Sequence, residues 1–222
     1  MDRIIRDEKM RYDGYRFLSA CFCQPQKNVF QEENLLENLT MILREICPGA
    51  APFSAAMEES LRKFGDEDLL VEYSRLFVGP FGLKAPPYGS VYLDGERRVM
   101  GDSTMAVIRM YEEEGLSGHV EFADLPDHVS VELEFMSYLL FKEIEALRKS
   151  DIGSAFEAKR KQEKFLTEHL GRWIAPFCEK IKEETQNGFY SALADCASVF
   201  VGSSCPANLP EAAGEEVSNA AP

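Results

Sequence analysis

The run Asp127-His128-Val129-Ser130-Val131-Glu132-Leu133-Glu134-Phe135-Met136-Ser137-Tyr138-Leu139-Leu140-Phe141-Lys142-Glu143-Ile144 decides the fold class. Wound at 3.6 residues per turn it is apolar on most sides, through Val131, Leu133, Phe135, Met136, Tyr138, Leu139, Leu140 and Phe141. A helix apolar nearly all round is the buried centre of a bundle. Asp124, with Pro126 in the first turn, supplies the chemistry of a helix start, and the pattern runs on to about Lys149. Glu132 and Glu134 point to nearly opposite sides of this apolar rod. At least one of them therefore sits at a cavity rim or has a buried partner.

Helical periods extend outward on both sides. Tyr12, Tyr15, Ser19 and Phe22 share one face of a first helix that ends near Pro25. A second spans about Asn28 to Ile46 and stops at Cys47-Pro48-Gly49, and a weaker third covers Phe53 to Phe64. Asp66 or Asp68 caps a helix bearing Leu69, Leu70, Tyr73, Leu76 and Phe77. Asp102 or Ser103 caps another, through Val107, Ile108 and Tyr111, which Gly115 closes. Three more follow, around Phe156 to Leu170, Trp173 to Glu183 and Gly188 to Val201. One strand signal stands out: a small hairpin, Ser90 to Leu93 and Arg97 to Met100, turning at Asp94-Gly95. The sequence thus predicts an all-α, single-domain bundle over residues 1–202. An acidic tail over 203–222, with no large apolar face and no basic residue, is expected to be disordered.

Composition narrows the functional classes. With 24 basic against 38 acidic residues the chain carries −14, which repels phosphate backbones and anionic membranes and favours a basic partner. No apolar segment approaches a signal peptide or a membrane span, so a cytoplasmic protein without membrane insertion is expected. The six cysteines form no CxxC pair and read as reduced thiols. Cys21-Phe22-Cys23 offers half a metal site without a second half, so no metal and no cofactor are expected.

About two dozen residues join the helix ending near Val78 to the one starting near Asp102, far more than a compact bundle needs. Phe81, Leu83, Tyr88, Val91, Tyr92 and Leu93 are apolar or aromatic there, while Pro80, Pro86 and Pro87 stiffen the backbone. That segment is either one wall of a groove or a lid packed on the core. The second cluster is Asp124 to Asp127 with His128 and Glu132, four apart on one helical face, a spacing for a hydrogen-bonded pair or half a metal site. No phosphate loop, GxSxG or HExxH occurs. A small helical enzyme, such as a nucleotide hydrolase using His128 and Glu132, remains the alternative to a binding protein.

Three ordered motifs carry a resemblance. Tyr73-Ser74-Arg75-Leu76-Phe77-Val78-Gly79-Pro80, then Pro86-Pro87-Tyr88-Gly89-Ser90-Val91-Tyr92, then Asp127-His128 with Glu132-Leu133-Glu134-Phe135-Met136, resemble the TorD/DmsD/NarJ family of assembly chaperones for molybdenum-cofactor oxidoreductases. The resemblance implies an all-α fold and no catalysis. It implies binding to the N-terminal leader of a partner's catalytic subunit, in many members a twin-arginine export signal, until the cofactor is inserted. By the same resemblance Tyr73, Leu76 and Phe77 line or brace a peptide groove, and Pro86, Tyr88, Ser90 and Tyr92 shape its wall. Asp127, His128 and Glu132 supply its polar contacts. Homodimerisation is left open.

Overall fold

A computed structural model describes residues 1–25, 34–63, 65–79, 82–95, 99–116 and 124–205. Among the described residues the chain forms ten α-helices: α1 (Asp2–Cys21), α2 (Leu35–Ile46), α3 (Ala51–Lys63), α4 (Asp66–Tyr73), α5 (Gly89–Leu93), α6 (Asp102–Glu113), α7 (Val129–Arg148), α8 (Ile152–Glu168), α9 (Leu170–Glu184) and α10 (Gly188–Ser204). The all-α expectation holds. Helix α7 is the centre, packed between α1 and α8 and touching α9, while α2, α3 and α10 complete the bundle against α1 and α9. Val129, Leu133, Met136 and Leu140 of α7 are fully buried. Each such side chain contributes about 1.5–3 kcal/mol of transfer free energy, which is why α7 cannot be a surface helix.

Local chemistry explains most helix starts. Asp151 caps α8 by accepting from Ser154 N at 3.0 Å, and Asn187 caps α10 by accepting from Phe189 N at 2.9 Å. Helix α7 begins later than its sequence pattern, at Val129. His128, not Asp124, is its cap: Nδ1 accepts from Ser130 N at 3.2 Å. Asp124 and Pro126 belong instead to the turn that precedes it. At α4 the side chain of Asp68 accepts from Gly65 N at 3.1 Å, tying the third helical position back to the cap.

Two departures concern the segment between α4 and α6. Helix α4 does not continue regularly to Val78; residues Ser74–Val78 form a π turn, closed where Gly79 N donates to Ser74 O at 2.8 Å with Gly79 at φ +84°. The hairpin is not formed. Its first limb, Ser90 to Leu93, is helical within α5, and residues 97 and 98 of the second limb lie outside the described residues. At Asp94-Gly95 the chain bends, with Gly95 at φ +74°. The Asp94 carboxylate then accepts from Ser103 N at 3.2 Å and Ser103 Oγ at 2.9 Å, so it is Asp94, rather than Asp102 or Ser103, that satisfies the start of α6. The boundary set at residue 202 falls inside α10, which runs through Ser204; residues 206–222 of the expected tail lie outside the described residues.

Candidate functional site

The three sequence motifs meet at the N-terminal end of α7. Ala85 N donates to Leu76 O at 3.0 Å, joining the π turn to the proline segment. Val129 N donates to Pro87 O at 2.9 Å and Gly89 N to Asp127 O at 2.8 Å, so Tyr88 and His128 pair as an isolated antiparallel bridge. These are strand-type bonds in a helical protein. They satisfy backbone groups that neither a helix nor solvent reaches.

Side chains close the same junction. The Asp127 carboxylate, 1% exposed, accepts from Ser90 N at 2.9 Å through Oδ2. The rings of Tyr88 and His128 meet edge-on at 5.4 Å. Tyr88 OH donates to Asp124 Oδ1 at 3.2 Å, and His128 Nε2 lies 3.5 Å from Asp124 Oδ2. With Nδ1 accepting at the cap, Nε2 carries the ring proton and faces Asp124. Burial lowers the His128 pKa despite Asp124 and Asp127, leaving a neutral imidazole at neutral pH. Burial, then the Asp124 charge, pushes the Tyr88 phenol up to about 12.

Glu132 lies one turn deeper and is fully buried. Its Oε2 accepts from Trp173 Nε1 at 2.9 Å, while Oε1 has no hydrogen-bond partner. Burial holds this carboxyl well above the usual carboxylate range; the Trp173 bond opposes that and the nearby Asp127 adds to it. Tyr92 stacks on Trp173 with ring centroids 5.7 Å apart and 18° between planes. Gly89 fills the remaining space: a Cβ there would stand 3.0 Å from Trp173 Nε1 and 3.2 Å from Glu132 Oε1. Of the α7 carboxylates singled out from sequence, Glu132 has the buried partner and Glu134 is exposed.

The structure brings the expected site residues together at one junction, with most of them buried. Leu76 and Phe77 are core, Phe77 ringed by Tyr73, Phe177 and Tyr190 at 5.2–6.1 Å. Tyr73 is 8% exposed, and burial drives its phenol up to about 12. Ser90, Asp127, His128 and Glu132 are buried, while Pro86, Tyr88 and Tyr92 are half-buried. Asp124 keeps 35% of its side chain exposed, and Val78, closing the first motif, is 62% exposed. Sequence reasoning did not link Trp173 to this site, because its partner Glu132 lies 41 residues away and only the fold joins them.

Among the described residues no group of three or more metal-binding side chains assembles, and no helix is long and apolar enough to cross a membrane. The cysteines are free, four of them buried, with Cys23 exposed and Cys205 half-buried.

Comparison with known proteins agrees with the motifs. The family model described as nitrate reductase delta subunit matches residues 43–179. The Tat proofreading chaperone DmsD of Salmonella typhi is 30% identical over 152 residues, 68% of this chain and 64% of that one. More than a third of that relative therefore lies outside the match. The chaperone protein TorD of Aliivibrio salmonicida is 23% identical over 209 residues, covering 90% of this chain and 95% of that one. A crystal structure of a candidate redox enzyme maturation protein from Archaeoglobus fulgidus superposes with a TM-score of 0.52 at 22% identity, over 83% of this chain and 91% of that one, a likeness of fold. On the family model, which spans more than half of its residues, and on these relatives, the chain belongs to the TorD/DmsD/NarJ family.

Proposed function

We propose that the chain is a cytoplasmic assembly chaperone, not an enzyme. It binds the N-terminal leader of the catalytic subunit of a molybdenum-cofactor oxidoreductase and holds that subunit until its cofactor is inserted. Where the leader is a twin-arginine signal, the same binding delays export. The observation that carries the reading is the joining of three motifs, distant in sequence, into one surface at the head of α7 by bonds that bundle packing does not require. Tyr88, Asp124 and Val78 form its accessible rim; Tyr73, Leu76, Phe77, Ser90 and Asp127 brace it from beneath. A leader combines cations with an apolar stretch, and a chain of net charge −14 with Tyr88 and Val78 on that rim suits both.

The hydrolase alternative has less support. Nδ1 of His128 is occupied as a helix cap, and Glu132 is fully buried with its Oε2 held by Trp173. Neither group is poised toward a substrate.

Fluorescence anisotropy with labelled leaders from the source organism's molybdenum oxidoreductases tests the proposal. Saturable binding that weakens with added salt is expected. If none of these leaders binds, the function assigned here is wrong.

A further inference from the structure

Three buried oxygens lack protein partners where α5 meets α7: Ser90 Oγ, Asp127 Oδ1 and Glu132 Oε1. Their residues are at most 1% exposed. Packed interiors rarely leave polar atoms unpaired, so several at one junction call for a physical account. Two belong to carboxyl groups, each using one oxygen on a fixed donor, Ser90 N for Asp127 and Trp173 Nε1 for Glu132, and each with its second oxygen unpaired. The Gly89–Ser90 backbone covers both. Ser90 N is bound to Asp127, and Gly89 stands so close to Glu132 and Trp173 that no side chain fits between them.

Resting on the leader-binding reading above, we infer that Asp127 and Glu132 form a closed cation subsite, roofed by the Gly89–Ser90 turn, which opens to take a guanidinium from the bound leader. Once Glu132 is ionised, two carboxylates with a spare oxygen apiece match the several donors of a guanidinium, and an apolar side chain would leave both oxygens unpaired.

The closed and filled states differ by one proton. In the closed state burial holds the Glu132 carboxyl well above the usual carboxylate range and favours its protonated form, the nearby Asp127 adding to the shift. Other ionisable groups around it are the phenols of Tyr92 on α5 and Tyr111 on α6, with His128 neutral at the head of α7. A guanidinium placed there reverses the preference. The Glu132 O–H bond breaks, its proton passes to buffer, and the carboxylate pairs with the cation. Uptake of the leader therefore releases about one proton, and affinity rises with pH, by up to about tenfold per unit where Glu132 is protonated when free and ionised when bound.

Titration calorimetry of the leaders used above, in phosphate and in Tris at the same pH, separates this inference from the reading beneath it. For the wild type, the binding heat is expected to differ between buffers in proportion to their ionisation heats, corresponding to release of about one proton. Glu132→Gln keeps the shape and the Trp173 acceptor. It is expected to remain folded, bind about tenfold or more weakly, and lose the buffer dependence. A leader with its arginines replaced by glutamine is expected to lose the buffer dependence on the wild type. Binding with equal heats in both buffers, or unchanged proton release in Glu132→Gln, overturns the subsite and leaves leader binding intact. Failure of every leader to bind overturns both. As a check independent of the variant's stability, the fluorescence of Trp173, the single tryptophan, is expected to shift on binding to the wild type; an unchanged spectrum with bound leader also contradicts the opening.

Discussion

The indole N–H of Trp173 donates to Glu132 Oε2 across 2.9 Å, fastening α9 to α7 directly beneath Gly89. This bond joins the core of the bundle to the loop that carries the second motif, and several consequences can be measured.

Removing the donor leaves a fully buried carboxyl with neither oxygen paired. Trp173→Phe is expected to lower stability by about 1–3 kcal/mol from this effect alone. Adding Glu132→Leu to Trp173→Phe is expected to recover part of that loss, because an apolar pair has no orphan to desolvate. Urea denaturation of both variants reads the difference; a double variant less stable than the single one contradicts the assignment.

Glu132 also sets a pH dependence. Its folded pKa is raised above the unfolded value of about 4.3. The native state therefore holds a proton that the unfolded state gives up. This contribution is fully present below the unfolded value and is lost as pH rises through the folded one. The slope is at most about 1.4 kcal/mol per pH unit for one proton. Glu132→Gln abolishes it, so the variant is expected to gain stability relative to wild type as pH rises from 5 toward the folded value. A constant difference across that range is the contrary result.

His128 acts with the opposite sign. Its folded pKa is lowered by burial below the unfolded value of about 6.5. Its contribution is present above that value and is lost as pH falls through the folded one. His128→Asn retains a cap oxygen and cannot titrate, so its stability relative to wild type is expected to rise on acidification from pH 7 to 5. His128→Ala also removes the cap and is expected to cost about 1 kcal/mol at pH 7. Paired thermal melts at the two pH values check both.

Gly89 is the tightest point of the site. Gly89→Ala places a methyl 3.0 Å from Trp173 Nε1 and 3.2 Å from Glu132 Oε1, so the indole must move or α5 must lift. A loss of about 1–3 kcal/mol is expected, with a changed Trp173 emission spectrum. A variant with wild-type stability and spectrum contradicts the close packing described here.

Most of the fold was legible because helical amphipathicity is a local signal. The apolar rod from Val129 onward could be nothing but a central helix, and its burial follows. What escaped depends on contacts distant in sequence or on a change of helical period. The π turn at Ser74–Val78 keeps an α-like apolar pattern, and only Gly79 at its end hints at the wider loop. Asp94-Gly95 bends the chain, but the Asp94 carboxylate serves the start of α6 instead of turning a hairpin, and the apolar residues before it are helical. At the site, the residue types and their common location were readable from the motifs. Their burial was not, since Glu132 acquires its partner, Trp173, only when α9 packs against α7.

The central claim is that a client leader is bound at the joined motifs, and hydrogen–deuterium exchange with and without a saturating leader tests it most directly. Slowed exchange is expected in residues 73–79, 85–93 and 124–132. Elsewhere, a cleft of about 250 Å³ lined by Arg11, Lys159, Gln162 and Phe200 is expected to exchange as in the free protein. Protection confined to that cleft, with the three motif segments unchanged, would contradict the account.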